Sequence, residues 1–278
     1  MKTIVIDVEK CIGCRDCVLA CKDEHVGNDW SPITRPQPDT GHFWVKILEE
    51  ERGTQPKIKT TWMPVLCMHC ENAPCIPACP ENAINRRADG IVLIDPQKCN
   101  GCQDCMEACP YRVIYFNEEL NLCQKCTLCA HLLDQGWEEP RCVRACPTDA
   151  LKFGEEADLQ PWLELAEPWK PESGAQPAVK YINLPKPFVA GDVYSPNEDA
   201  CLENVLVTLT NLATGTSLSV QTDNYGDFWL KGVIPGSYSL FFEKVGYYTK
   251  KIQPLKVAED LNIGSVKLYK VPQPVHTK

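Results

Sequence analysis

Seventeen of the 18 cysteines in this chain fall between Cys11 and Cys146, in groups whose spacing suits metal. The first group is Cys11, Cys14, Cys17 and Cys21. The second is Cys67, Cys70, Cys75 and Cys79, and the third is Cys99, Cys102, Cys105 and Cys109. The fourth is Cys126, Cys129, Cys142 and Cys146, with Cys123 just ahead of it. C-x2-C-x2-C spacing lets one backbone loop wrap three irons of a cubane. The next cysteine, typically followed by proline, lies too far along to close the same cage, and in two-cluster ferredoxins it ligates the other cluster. The first and third groups keep that spacing, whereas the second has four residues between Cys70 and Cys75 and the fourth twelve between Cys129 and Cys142; nesting all four gives four cages. Cys67, Cys70, Cys75 and Cys109 form one, and Cys99, Cys102, Cys105 and Cys79 its neighbour. Cys11, Cys14, Cys17 and Cys146 form a third, and Cys126, Cys129, Cys142 and Cys21 the fourth. Four [4Fe–4S] clusters are therefore expected. With every iron ligated, none is open to substrate, so conduction is expected and no catalytic residue on this chain.

Two other uses of cysteine fit less well. Structural zinc also takes C-x2-C pairs, but zinc ribbons do not repeat C-x2-C-x2-C-x3-C or end in Cys-Pro, as Cys79-Pro80, Cys109-Pro110 and Cys146-Pro147 do. A disulfide framework belongs to small secreted domains, and this chain has 278 residues and no apolar run of signal-peptide length before Cys11.

The elements that must position these thiols are short. TIVIDV, IVLID (Ile91 to Asp95) and VIYFN (Val113 to Asn117) are β-branched or aromatic runs bounded by turn residues, and read as strands. The runs after the Cys-Pro steps have room for one helical turn or one strand. No long helical period is present, so clusters must supply much of the stability. Residues 22–66 form an insertion free of cysteine, with FWVKILEEERG and KIKTTWMPV as two strands of an extended hairpin. The predicted organisation is α+β. A four-cluster domain of tandem ferredoxin-like modules spans 1–154, an extended linker 155–187 with a short helix near Asp158 to Leu165, and an all-β sandwich 188–272. The sandwich is predicted from alternation in NVLVTLTNL (Val205, Val207 and Leu209 on one face) and YSLFFEKV, with turn signals every ten or so residues and about seven strands.

Several further residues invite roles. Cys123 is read as a buried thiol or as a substitute for Cys126, and Cys201 as a small core residue. His69 and His131 could tune a nearby cluster by hydrogen bonding, whereas His25 and His42 are expected at a surface or interface. Lys125, Arg141 and Arg144 either offset cluster charge or face water. Asp223, Asn224 and Asp227 faintly resemble a calcium loop but lack its full spacing, so a hairpin turn is expected there. Trp30, Trp44, Trp62, Trp137, Trp162 and Trp169 suit either a core or a subunit interface.

Composition narrows the function. A net charge of −9 leaves no basic footprint for nucleic acid. No apolar stretch of membrane-spanning length occurs, so no direct membrane insertion is expected. The expected compartment is the cytoplasm, or the periplasm if a partner carrying a twin-arginine signal exports the folded subunit.

The stretches VIDVEKCIGCRDCVLACKDEH, CMHCENAPC, KCNGCQDCMEACPYRVI and KCTLC…CVRACPTDAL resemble the iron–sulfur subunits of the dimethyl-sulfoxide-reductase family over residues 1 to about 155. That resemblance implies a large catalytic partner bearing a molybdenum or tungsten bis-molybdopterin guanine dinucleotide, and an external electron carrier beyond it. The transhydroxylase branch, which acts on pyrogallol and phloroglucinol, is similar also in DGIVLIDPQK, QKCTLCAHLLD and KPESGAQPAVKYINL, and ends in a β domain. For the small subunit of that branch the resemblance implies fewer ligands. Here all sixteen positions are cysteine, which suits net electron exchange and brings hydroxylation or dehydroxylation of a phenolic ring into play beside transhydroxylation. The respiratory arsenate, sulfoxide and polysulfide reductases are the alternative branch, and a free-standing polyferredoxin carrier is the alternative class. Residues 189 onward resemble carboxypeptidase-regulatory-like and Cna-B-type sandwiches, usually scaffolds.

Overall fold

The computed structural model describes residues 1–272. It divides into two units, Met1–Glu50 with Thr61–Leu184, and Glu51–Thr60 with the chain from Pro185 on.

In the first unit β1 (Lys2–Asp7) is followed by α1 (Asp16–His25), and β2 (Lys46–Thr54) pairs with β3 (Lys57–Val65) as the expected hairpin. The tip of that hairpin, Glu51–Thr60, is counted with the second unit. Then come β4 (Ile84–Arg86), β5 (Val92–Ile94), α2 (Asp104–Glu107), β6 (Ile114–Asn117), β7 (Leu122–Lys125), α3 (Ala130–Asp134), α4 (Arg141–Arg144) and β8 (Leu151–Glu155). All three runs after the Cys-Pro steps are strands: β4, β6 and β8. The stretch expected as an extended linker carries α5 (Gln160–Leu163), a 3-10 turn (Pro171–Ser173) and β9 (Lys180–Ile182).

β1 is the middle strand of a sheet ordered β8-β1-β9, antiparallel to β8 and parallel to β9. Both faces are covered: Ile4 and Ile6 enter the main core, while Val5 packs with Leu159 and Ile182 on the other side. That accounts for an unbroken apolar run in place of alternation. β4 pairs only with β5 and β6 only with β7, as isolated hairpins. α1, which the sequence reading missed, holds Cys17, Cys21 and His25 on its buried side. Their i, i+4, i+8 spacing is the signal that could have found it.

The second unit continues with β10 (Val189–Ser195), β11 (Ala200–Cys201), β12 (Leu206–Asn211), β13 (Ser217–Gln221), β14 (Asp227–Leu230), β15 (Gly236–Glu243), β16 (Lys250–Val257) and β17 (Leu261–Lys267). One sheet runs β11-β10-β14 with β17 on β10, and the other runs β13-β12-β15-β16. Eight strands therefore stand where about seven were expected. Val207 lies opposite Phe242 and Leu209 opposite Leu240, so both alternating runs face inward. Phe228 meets Phe242 edge-on, with centroids 5.7 Å apart. The Asp223 segment is not a hairpin, because it carries the chain from β13 in one sheet to β14 in the other. The Asp223 carboxylate accepts the backbone N–H groups of Tyr225 and Asp227, each at 2.9 Å. Cys201 is exposed rather than core, because β11 is a two-residue edge strand with both residues exposed.

Arg52 fixes the hairpin tip within this unit. Its guanidinium donates to both Asp260 oxygens, at 2.9 and 2.6 Å, and to the Lys186 carbonyl at 2.7 Å. Asp260 also accepts the Phe188 N–H at 3.1 Å. Both partners are nearly buried, at 13% and 11% exposed. Truncating one side of such a pair leaves an uncompensated charge. Arg52→Ala is expected to destabilise the second unit by about 3 kcal/mol in equilibrium denaturation. Arg52→Lys should recover only part of that, because an ammonium cannot reproduce the fork. No helix among the described residues is long and apolar enough to cross a membrane.

Candidate metal centre

The cysteine loops share one backbone design. The residue two places after the first cysteine is left-handed in every group: Gly13 (φ 70°), His69 (43°), Gly101 (77°) and Leu128 (51°). In the first and third groups the fourth loop position, Arg15 and Gln103, is left-handed too. Alternating conformations of this kind turn successive N–H groups toward the inside of a loop, which suits an anionic ligand. The residue three places after each Cys-Pro cysteine is also left-handed: Asn82, Arg112 and Asp149. That kink returns the next N–H to the sulfur, Ala83 N to Cys79 Sγ at 3.4 Å and Ala150 N to Cys146 Sγ at 3.3 Å. Glycine is needed at Gly101, where a Cβ would lie 2.7 Å from the Asn121 carbonyl oxygen.

The fold brings distant thiols together. Burial pushes Cys17 up to about 12, and the neighbouring thiolates of Cys11, Cys146 and Cys14 push the same way. Cys21 and Cys142 are buried and driven well above the usual thiol range by desolvation, with Cys126 and Cys129 acting on both. α1 explains the split within the first group. Cys17 and Cys21 sit one helical turn apart, so one faces Cys11 and Cys146 while the other faces Cys126, Cys129 and Cys142. Cys70, also raised to about 12 by burial, feels Cys67, Cys75 and Cys109, and these four line one cavity. Cys79, Cys99, Cys102 and Cys105 line another. Among the described residues no three Cys, His, Asp or Glu side chains converge closely enough for a single metal ion. A cubane asks instead for thiols set around a larger cage, and the two walled cavities suit that demand.

Neighbouring sets also touch electrostatically. Cys17 acts on Cys142, Cys67 on Cys126, and Cys105 on Cys75. These contacts make neighbours of Cys11/14/17/146 and Cys21/126/129/142, of the latter and Cys67/70/75/109, and of that set and Cys79/99/102/105. Each outer set has an exposed thiol, Cys14 at one end and Cys102 at the other, whereas neither inner set has one.

Residues between and beside the sets are charged or polar despite deep burial. Lys125 is 2% exposed. Its ammonium donates to the Val92 carbonyl and, at 3.2 Å, to the Cys126 carbonyl. Burial raises Cys75 to about 12, and the Lys125 charge opposes that rise. It faces thiols, not water. Arg141 pairs with Glu24 at 3.1 Å and Asp23 at 3.3 Å, and both Glu24 and Arg141 act on Cys129. Arg144 lies over the exposed Trp137 ring, 5.1 Å from its centroid. His131 hydrogen-bonds Glu24 at 3.1 Å and stacks on Trp30.

One expectation fails here, that for His25, and for Cys123 the buried thiol is found and the substitute ligand is not. His25 is not at a surface: it is 1% exposed, packs on Trp44 and His131, and burial lowers its pKa to about 3. Cys123 is buried but does not neighbour Cys126. It lines the cavity of Cys79, Cys99, Cys102 and Cys105, with its N–H on Cys99 Sγ at 3.4 Å, and its thiol hydrogen bond holds Cys99 down to about 5. Strand geometry is the cause, because successive residues of β7 face opposite ways. His42 stacks on Tyr115, Trp44 is core, and Trp169 packs between Tyr111 and Tyr181.

A 4Fe–4S dicluster domain model matches residues 58–156, a 4Fe–4S binding domain model residues 8–27, and a carboxypeptidase regulatory-like domain model residues 189–268. The pyrogallol hydroxytransferase small subunit of Pelobacter acidigallici is 38% identical over 277 residues, covering 95% of this chain and 98% of that one. The chain belongs to the iron–sulfur subunits of the dimethyl-sulfoxide-reductase family. Other similar proteins cover less of it. The arsenate respiratory reductase iron–sulfur subunit of a Shewanella species is 33% identical over 64% of this chain and 94% of its own length. The thiosulfate reductase electron transfer subunit of Salmonella typhi is 38% identical over 62% and 86%. As an iron–sulfur subunit of this family, the chain is an electron-transfer component of an oxidoreductase complex.

Proposed function

We propose that each of the four thiol sets holds a [4Fe–4S] cluster, and that the chain relays electrons between a molybdopterin catalytic subunit and an outside carrier. What supports this reading is a succession of four thiol groupings that act on their neighbours, with exposed thiols, Cys14 and Cys102, only in the first and last of them. Bound clusters supply one-electron storage and transfer. The chain's own residues do the rest. Buried thiols fix the cages, backbone N–H groups steady the sulfurs, Lys125 offsets charge where water is excluded, and Arg141 does so at the half-buried margin. The domain organisation supports two jobs, with residues 1–154 conducting and the sandwich 188–272 holding the partner.

The catalytic partner acts on polyhydroxylated aromatics, by hydroxylation, dehydroxylation or transhydroxylation. Support comes from the pyrogallol hydroxytransferase small subunit, which matches the chain almost end to end. The arsenate and thiosulfate reductase relatives match under two thirds of it, so a respiratory oxyanion or sulfur reductase is the second reading.

The deciding experiment is anaerobic purification through a tag on this chain. About sixteen irons per chain, with molybdenum or tungsten in a co-purifying large subunit, is the expected result. Turnover of pyrogallol or catechols, and not of arsenate, sulfoxides or polysulfide, should follow. A chain that arrives alone with its iron would overturn the molybdoenzyme reading in favour of a free carrier. Zinc in place of iron would overturn the clusters themselves.

A further inference from the structure

His69 is a buried hydrogen-bond donor without an acceptor in the protein. It is 1% exposed. Its Nδ1 accepts the Val92 N–H at 3.0 Å. A backbone N–H can only donate, so Nδ1 carries the lone pair and the proton of the imidazole lies on Nε2. That Nε2 is fully enclosed and has no partner. Buried polar groups in native proteins are nearly all paired, so this one calls for an acceptor that binds at the site.

The surroundings name it. His69 lines the cavity shared by Cys67, Cys70, Cys75 and Cys109. The rest of that wall is apolar apart from Tyr111, whose hydroxyl is engaged with the Trp169 carbonyl at 3.3 Å. The acceptors left inside are sulfur atoms. His69 also occupies the left-handed loop position that two sister loops give to glycine, Gly13 and Gly101.

Resting on the cluster assignment above, we propose that His69 donates its Nε2 proton to a sulfur of the centre held by Cys67, Cys70, Cys75 and Cys109, and so makes that centre easier to reduce than it would otherwise be. The sign follows from charge. Reduction adds negative charge to the sulfurs, and a fixed donor stabilises the more negative state more strongly. Val92 N–H holds the ring in the required tautomer, so the donor is oriented before any electron arrives. His69 is a positioning residue in this role, because it changes an equilibrium and takes no part in bond making.

The test is an EPR-monitored redox titration of the intact complex, native against His69→Phe and His69→Gln, with iron counted in each. In His69→Phe, one of the four signals should show its reduced-to-oxidised ratio falling about tenfold at fixed ambient potential, equivalent to about 59 mV for one electron. The other three should not move, and His69→Gln, which retains an N–H, should recover part of the loss. Pulsed EPR of the native chain labelled with 15N-histidine should show one nitrogen and one exchangeable proton coupled to that same signal. This reading survives even if a variant loses its cluster. Four unmoved potentials in a fully loaded His69→Phe variant, or no 15N coupling in the native chain, would overturn the proposal. A native chain short of about sixteen irons would overturn the underlying cluster reading instead.

Discussion

Stripping iron from the chain with an anaerobic chelator should unfold the first unit and leave the second folded. The reasons lie in what each core is made of. In the first unit Cys17, Cys21, Cys67, Cys70, Cys75, Cys105, Cys126 and Cys142 belong to the main buried cluster. The helices around them are four or five residues long, α1 apart, and no helix N-terminus has a side-chain cap. Helices of that length have no stability of their own in water. The hairpins β4-β5 and β6-β7 have only two strands each, which is marginal without packing on something else. Without metal, the loops surround voids, and the left-handed positions His69 and Leu128 keep their cost with nothing to offset it. Metal-binding energy is folding energy in sites of this kind. The second unit has none of these dependencies. Val189, Val207, Phe228, Leu240 and Phe242 fill its interior, and its one cysteine outside the groups, Cys201, is exposed. Limited proteolysis and far-UV circular dichroism check this. The expected outcome is a protease-resistant body from about Pro185 onward that retains the Glu51–Thr60 tip as a bound peptide, with β-type dichroism and a cooperative melt. A protease-resistant first unit after complete iron removal would sink the argument, as would loss of both units together.

The same contrast explains how much could be read without a structure. Cysteine spacing is a local property, so the four groups stand out in the bare sequence, and the fold places their members in facing sets. Strand alternation is local too, and Val205, Val207 and Leu209 are all buried as their pattern implied. What stayed hidden depends on packing between residues far apart in the chain. Nothing near His25 announces that Trp44 and His131 enclose it. Lys125 follows a polar glutamine and precedes a cysteine, a context equally suited to solvent, yet every residue of β7 is buried. Cys123 lies three places from Cys126, close enough to suggest a shared set, and the strand turns it to the other side. Cys201 fails for the opposite reason: a two-residue edge strand is too short for alternation to say which way it faces.

Lys125 leads to the second large effect. Its ammonium donates to the Cys126 carbonyl of one inner set, and its charge acts on Cys75 of the other. It is therefore a fixed positive charge shared by the two sets from which water is most fully excluded. Negative charge added to either set is stabilised by it. A unit charge roughly 6 Å away at an effective dielectric of about 20 is worth about 3 kcal/mol, or about 120 mV for a one-electron couple. Lys125→Met, similar in length and without charge, should lower the potentials of both inner clusters by up to about that amount. The two outer clusters should move far less, since each lies one set further away. Lys125→Gln keeps a donor for the Val92 and Cys126 carbonyls while removing the charge, so it separates the two contributions. A charge effect gives Gln and Met the same shift, whereas an effect of the lost hydrogen bonds spares Gln. The consequence for conduction follows from the order of the sets. Lowering the two middle potentials raises a barrier that every electron must pass, so turnover linked to an external carrier should slow in either direction. EPR-monitored titration of the iron-replete variants gives the potentials, and inner clusters that keep their native values without the Lys125 charge would remove it from the relay.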